Sequence, residues 1–208
     1  SFSNDVEGMV ILGSCLRAKG NFDESLTYLD KAIELDPNYA EALINRALVT
    51  LTRDEKASAL TDLEKAHKLK PHIKQIWELI ITLYAEKNRY EDAINCLVNM
   101  IKTDPNHERS FSLLEACNRE ANDTSLAIMS FQKVLEIKPN DTKILLNLGT
   151  ALQMSGEIEK AIETYRKAIA IQPNYGDAHL KLGNALHHQG RPNQAIEAFQ
   201  KATSINGE

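Results

Sequence analysis

Five prolines constrain this chain before any helix is assigned. Pro37, Pro71, Pro105, Pro139 and Pro173 each follow the last at 34 residues, and only Pro192 falls outside the series. A fixed interval of this length means that one small unit is repeated, and that neighbouring units must stack to bury faces none can cover alone. Three more columns keep the same phase. Gly20, Asp54, Asn88, Asn122, Gly156 and Gly190 are residue types that tolerate the left-handed backbone closing a helix. Ser25, Ala59, Ala93, Ala127, Ala161 and Ala195 are small, as close backbone approach requires, and Leu29, Leu63, Leu97, Phe131, Tyr165 and Phe199 are bulky.

Within each period the apolar spacing is helical. Ala161, Ile162, Tyr165, Ala168 and Ile169 form one stripe. Each period therefore reads as two helices. The first, in the second period, is predicted from Ala40 to Arg53, with Asn38 as N-cap and Glu41 completing a capping box, and Asn106, Asn140 and Asn174 recur at the cap position. The second, in the fifth period, is predicted from Ile158 to Ile171, stopping before a proline that disfavours helical geometry in the residue ahead of it. Twelve helices in six hairpins follow.

A 34-residue helix-turn-helix period with this distribution of small and bulky residues resembles the tetratricopeptide repeat family over residues 6 to 208. The fifth period carries the family pattern best, with Leu145, Leu148, Gly149, Leu152, Ala161, Tyr165, Ala168 and Pro173. The sixth follows with Leu182, Gly183, Leu186, Ala195, Phe199 and Ala202, although Gly207 stands where proline is due. The resemblance implies an all-α fold: a right-handed α-solenoid (superhelix) of six units, 6–39, 40–73, 74–107, 108–141, 142–175 and 176–208, in one array over 1–208. Ile81 and Glu115 interrupt the column of Gly13, Ala47, Gly149 and Gly183, and Met100 and Val134 that of Ala32, Ala66, Ala168 and Ala202. Larger side chains there push paired helices apart, so the third and fourth units are expected to be the least regular. Glu115 is expected to pair with Arg119, one turn on.

The residues offer little for catalysis. Gly149 with Gly156, and Gly183 with Gly190, belong to packing and turn columns rather than a phosphate loop, and His179, His187 and His188 have no ligand-pair spacing. No enzyme activity, cofactor or metal is expected. Lys plus Arg number 24 against 29 Asp plus Glu, a net charge of −5 that gives no footprint for nucleic acid. No apolar run approaches the roughly 20 residues that span a bilayer. Cys15, Cys96 and Cys117 are scattered without a paired spacing, which favours reduced thiols and a cytoplasmic location, and Cys15 and Cys117, in one column, are expected to pack inside first helices. Asn122 and Asn140 fit a glycosylation triplet but serve a turn and a cap. The chain opens on Ser1 and reads as a fragment or processed product.

In the resembled family the first helices of successive units line a concave wall. That places Val10 and Ile11, Asn45, Leu48, Leu79, Thr82 and Leu113 toward one end, with Arg109, Lys143, Leu146, Asn147, Thr150, Gln153, Leu180, Lys181, Asn184 and His187 toward the other. The first part is apolar, and an apolar surplus marks an interaction surface. The second offers cations and amides for peptide backbone or acidic side chains, against the opposing charge of Asp177. Only fragments of the family's carboxylate-binding set are present, so capture of a terminal carboxylate is not expected. The expectation is a non-catalytic scaffold that holds a peptide or amphipathic helix of a protein partner in the groove. The rivals are a substrate-adaptor segment of a larger glycosyl-, sulfo- or methyltransferase and an array that assembles with itself into a homo-oligomer through uncovered ends.

Overall fold

The computed structural model describes residues 5–71 and 73–206. They form twelve α-helices and no strand: α1 (Val6–Ala18), α2 (Phe22–Leu35), α3 (Ala40–Thr52), α4 (Lys56–Leu69), α5 (Lys74–Glu86), α6 (Tyr90–Thr103), α7 (Glu108–Ala121), α8 (Thr124–Ile137), α9 (Thr142–Met154), α10 (Ile158–Ile171), α11 (Gly176–His188) and α12 (Pro192–Asn206). The fold is an all-α helical repeat of stacked hairpins. Gly207, the position where the sixth proline is due, lies outside the described residues.

All six members of the Gly/Asp/Asn column occupy the left-handed region, from φ 50° at Asn122 to φ 85° at Gly156. In five hairpins the next N–H closes the turn on a carbonyl five residues back, as Glu55 does on Thr50 at 2.9 Å and Glu157 on Leu152 at 2.8 Å. The fourth turn differs. There Asn122 N–H reaches Arg119 at 3.3 Å, and the Asp123 carboxylate caps α8 by accepting from Leu126 N–H at 3.1 Å.

The proline-side turns depart from the expected caps. Tyr39, not Asn38, is the N-cap of α3, and its side chain makes no capping bond. Asp36 instead accepts from Asn38 N–H at 2.9 Å, and Glu41 is drawn to Lys70 Nζ at 2.5 Å. The asparagines lie one residue ahead of the caps: α7 starts from His107, α9 from Asp141 and α11 from Tyr175. Only at Asp141 among these does a carboxylate cap, accepting from Lys143 and Ile144 N–H at 3.1 Å.

Two compact units result, one ending at Arg89 and one starting at Tyr90. In the first, α1 packs on α2 and α3, α2 on α3, α3 on α4, and α4 on α5. In the second, α6 packs on α7 and α8, and from α8 onward each helix packs on the next, with α9 also touching α11. The small and bulky columns make these approaches: Ser25, Ala59, Ala93 and Ala161 are fully buried, as are Leu29, Leu63, Leu97 and Tyr165. A β-carbon added at Gly183 would lie 2.6 Å from the Phe199 ring, so only glycine lets α11 and α12 close. The irregularity expected of the fourth unit is found, since α7 and α8 barely approach one another; the glycine column there is Glu115 and the second small column is Val134.

Candidate binding face of the first helices

In the first unit the candidates sit on α3 and α5. Leu48 and Leu79 are half-buried and Thr82 is exposed, its hydroxyl donating to Glu78 C=O at 2.8 Å. Asn45 donates from Nδ2 to Glu41 C=O at 2.9 Å, which leaves its carbonyl oxygen and second N–H to offer. Val10 is core, packed with Leu29, Ala32, Ala42 and Val49, while Ile11 stands 56% exposed.

The first unit also holds a partly buried ionic cluster that the sequence reading did not single out. Arg46 on α3 forks onto Asp62 of α4, Nε to Oδ2 and Nη2 to Oδ1 both at 2.7 Å, and its Nη1 reaches Asp30 of α2 at 2.8 Å. Asp62 is 4% exposed. These bonds hold the guanidinium in its charged form, against the opposing effect of partial burial. Arg46 occupies a column that is Ile80, Leu114, Leu148 and Leu182 elsewhere; a lone charge in an apolar column was the legible signal.

In the second unit, α7, α9 and α11 gather most of the polar candidates. Glu115 of α7 does not pair with Arg119. It accepts from Asn147 Nδ2 at 3.0 Å and lies 3.0 Å from Lys143 Nζ, both on α9, because residues one helical turn apart on α9 present two donors side by side to the neighbouring helix. Arg119 lies 3.8 Å from Glu120. The reach of Glu115 also shows at Tyr175, whose hydroxyl is pushed up by burial first and then by the charges of Asp177, Glu115 and Asp141. Asn147 keeps its carbonyl oxygen and second N–H for other partners.

Next to this cluster, Thr150, Gln153 and Met154 of α9 and Lys181 and Asn184 of α11 line a shallow cavity of about 260 Å³. Its polar wall is ordered from behind. The buried Tyr165 ring sends its hydroxyl to Gln153 Oε1 at 3.1 Å and Thr150 Oγ1 at 3.4 Å, and burial pushes that hydroxyl's pKa up. Met154 is 67% exposed, a flexible apolar surface beside the donors. Leu146 is half-buried and packs against the core of Leu145, Ala168 and Ala178. Leu113 is half-buried on α7, and Arg109 lies exposed at its start.

Cys117 is buried, and burial pushes its thiol up, whereas Cys15 is exposed, because α1 has packed neighbours on one side only among the described residues. Among those residues no three His, Cys, Asp or Glu side chains are grouped to hold a metal, and no helix is long and apolar enough to cross a membrane.

Comparison with known proteins agrees with this geometry. A TPR repeat profile matches residues 13–52 and 154–190, and tetratricopeptide repeat profiles match 130–163 and 176–208, together more than half of the chain. The chain belongs to the tetratricopeptide repeat family. TPR proteins are generally non-catalytic interaction scaffolds. No curated protein sequence matches the chain. Among solved structures, YrrB, a TPR protein with an unusual peptide-binding site, is 22% identical with a TM-score of 0.55 over 86% of this chain and 93% of its own. The Naa15/Naa10 complex bound to HypK-THB gives a TM-score of 0.67 at 17% identity, over 96% of this chain and 32% of that one. MamA is 22% identical over 94% of each chain, with a TM-score of 0.45. At these identities the likeness is one of fold.

Proposed function

We propose that this TPR chain is a non-catalytic scaffold that receives an extended peptide of a protein partner on the first helices of its second unit. The observation that carries the reading is the junction of two features on α7, α9 and α11. Glu115 fixes Lys143 and Asn147, and the cavity beside them presents Thr150, Gln153, Lys181 and Asn184 around the exposed Met154. Amides and hydroxyls held from behind satisfy a peptide backbone without the cost of ordering them on binding. Lys181 has no carboxylate within ion-pair distance among the described residues, so it favours an acidic side chain next to the bound backbone. In the first unit, Asn45, Leu48, Leu79 and Thr82 offer a more apolar stretch, and in the second, Leu113 and Arg109 extend the face along α7.

The test is affinity capture of partners with the intact chain, trimming of the captured partner to its shortest binding peptide, and titration of that peptide. Asn147→Ala with Lys181→Ala is expected to weaken binding about tenfold or more with unchanged helicity. Unaltered affinity removes this face from the proposal.

One observation favours self-association as a second reading. Ile196 on α12 is 53% exposed, whereas Leu60, Ile94 and Ile162 of the same column are at most 4% exposed. A mass by light scattering that stays monomeric across a concentration series excludes it.

A further inference from the structure

The ionic device of the first unit exposes a gap in the second. Asp30, Arg46 and Asp62 fill the seam between α2, α3 and α4. Four repeats later the same three positions are Arg166, Leu182 and Ala198. Arginine has become leucine and the buried carboxylate a methyl group, so no ion pair spans the seam, and a single long bond from Arg166 to Gln194 crosses it among the described residues. A cavity of about 850 Å³ remains between α10, α11 and α12, with Leu182, Leu186 and Ala198 on its floor and Arg166, Gln194 and Lys201 on its rim. It continues along α12 into a second hollow of about 540 Å³ past Ile169 and Ile205, with His179, Lys201 and Ser204 common to both.

The charges around this trough are unbalanced. Arg166 donates only a long 3.4 Å bond, to Gln194 Oε1, and among the described residues no carboxylate lies within ion-pair distance of Arg166 or Lys201. Glu197 is the one acidic residue in the lining. His179 is engaged with Pro173 C=O at 2.9 Å through Nε2. In the first unit the corresponding cation is satisfied by two carboxylates; here two cations border the floor against one carboxylate, Glu197, which is within ion-pair distance of neither.

We propose that the trough between α10 and α12 is a second docking site, distinct from the first-helix face, for a segment of a protein partner carrying a large apolar side chain flanked by acidic residues. The apolar side chain lies in the cavity over Leu182, Leu186 and Ala198, where the first unit has Arg46 bridging Asp30 and Asp62. Its neighbouring carboxylates accept from Arg166 and Lys201.

The test titrates the 208-residue chain with a labelled peptide of the pattern Glu-Leu-Glu-Glu-Phe-Glu and with its counterpart in which lysine replaces every glutamate, by fluorescence anisotropy, with backbone amide NMR to locate the site. The acidic peptide is expected to bind and to shift the amides of Leu186, Ala198 and Lys201. Arg166→Glu with Lys201→Glu, both at exposed positions, is expected to weaken it about tenfold or more and to turn the preference to the basic peptide. Ala198→Met, which fills the floor, is expected to weaken it with unchanged helicity. No binding, binding that ignores the charge reversal, or equal loss of both peptides overturns the proposal. Shifts confined to Asn147, Lys181 and Asn184 overturn it too, while supporting the first-helix face.

Discussion

Replacing Arg46 with leucine tests how the first unit is held together. Asp62 is 4% exposed and both its oxygens are taken by Arg46 at 2.7 Å, so Arg46→Leu strands a buried carboxylate. Breaking such a pair from one side costs about 3–5 kcal/mol, a large part of the roughly 5–15 kcal/mol that folded chains possess. Asp62→Ala is milder, because Arg46 keeps Asp30 at 2.8 Å and remains 27% exposed; about 1–2 kcal/mol is expected. The chain already contains the apolar solution, Leu182 with Ala198 at the same two positions. Arg46→Leu with Asp62→Ala is therefore expected to lie within about 1 kcal/mol of the parent, a coupling of at least about 3 kcal/mol relative to the sum of the single changes. Urea melts followed by far-UV circular dichroism measure all four corners, and Arg46→Leu is expected to lower Tm by about 6–20 °C. If the double variant is as unstable as Arg46→Leu, or Arg46→Leu costs less than about 1 kcal/mol, the stranded-charge argument is wrong.

Gly183→Ala is expected to cost about 1–3 kcal/mol by forcing the Phe199 ring off its seat, and Phe199→Leu in the same chain should recover part of it in the same melts. His67 lies 5.0 Å from the Trp77 ring, edge to face, and burial lowers its pKa. The folded state thus disfavours the charged ring, so its contribution is full above about pH 6.5, the unfolded value, and is lost as pH falls toward the folded value. Thermal melts from neutral to mildly acidic pH are expected to show this loss, and His67→Phe to reduce it. A thiol reagent under native conditions is expected to label Cys15 well before Cys117, read by mass spectrometry after digestion, since one is exposed and the other buried with its thiol pushed up.

The columns legible in the sequence are those in which backbone geometry forces the residue type. Left-handed turns demand Gly, Asn or Asp, and close helix approaches demand Ser, Ala or Gly, so a single chain repeating them six times shows its own fold. The caps were harder. Asn38 looks like a cap, yet the turn needs one more residue, and Asp36 takes Asn38 N–H before the helix begins. Partner choice between helices was not legible at all: Glu115 has Arg119 one turn away in sequence and Lys143 with Asn147 in space, and only the placement of α9 within side-chain reach of α7 decides between them. Cys15 shares a buried column with Cys117 but lies on a helix whose outer side no described element covers.

Each hairpin changes direction over two or three residues, the next-to-last of which is left-handed. The following helix thereby inherits its rotational phase directly from the preceding one. Since an α-helix advances about 100° per residue, one residue added inside α10 ahead of Tyr165 would swing the stripe of Ala161 and Tyr165 toward solvent and carry every later hairpin out of alignment. A chain built this way accepts exchange at most of its letters and duplication of whole modules, but it does not accept a miscount.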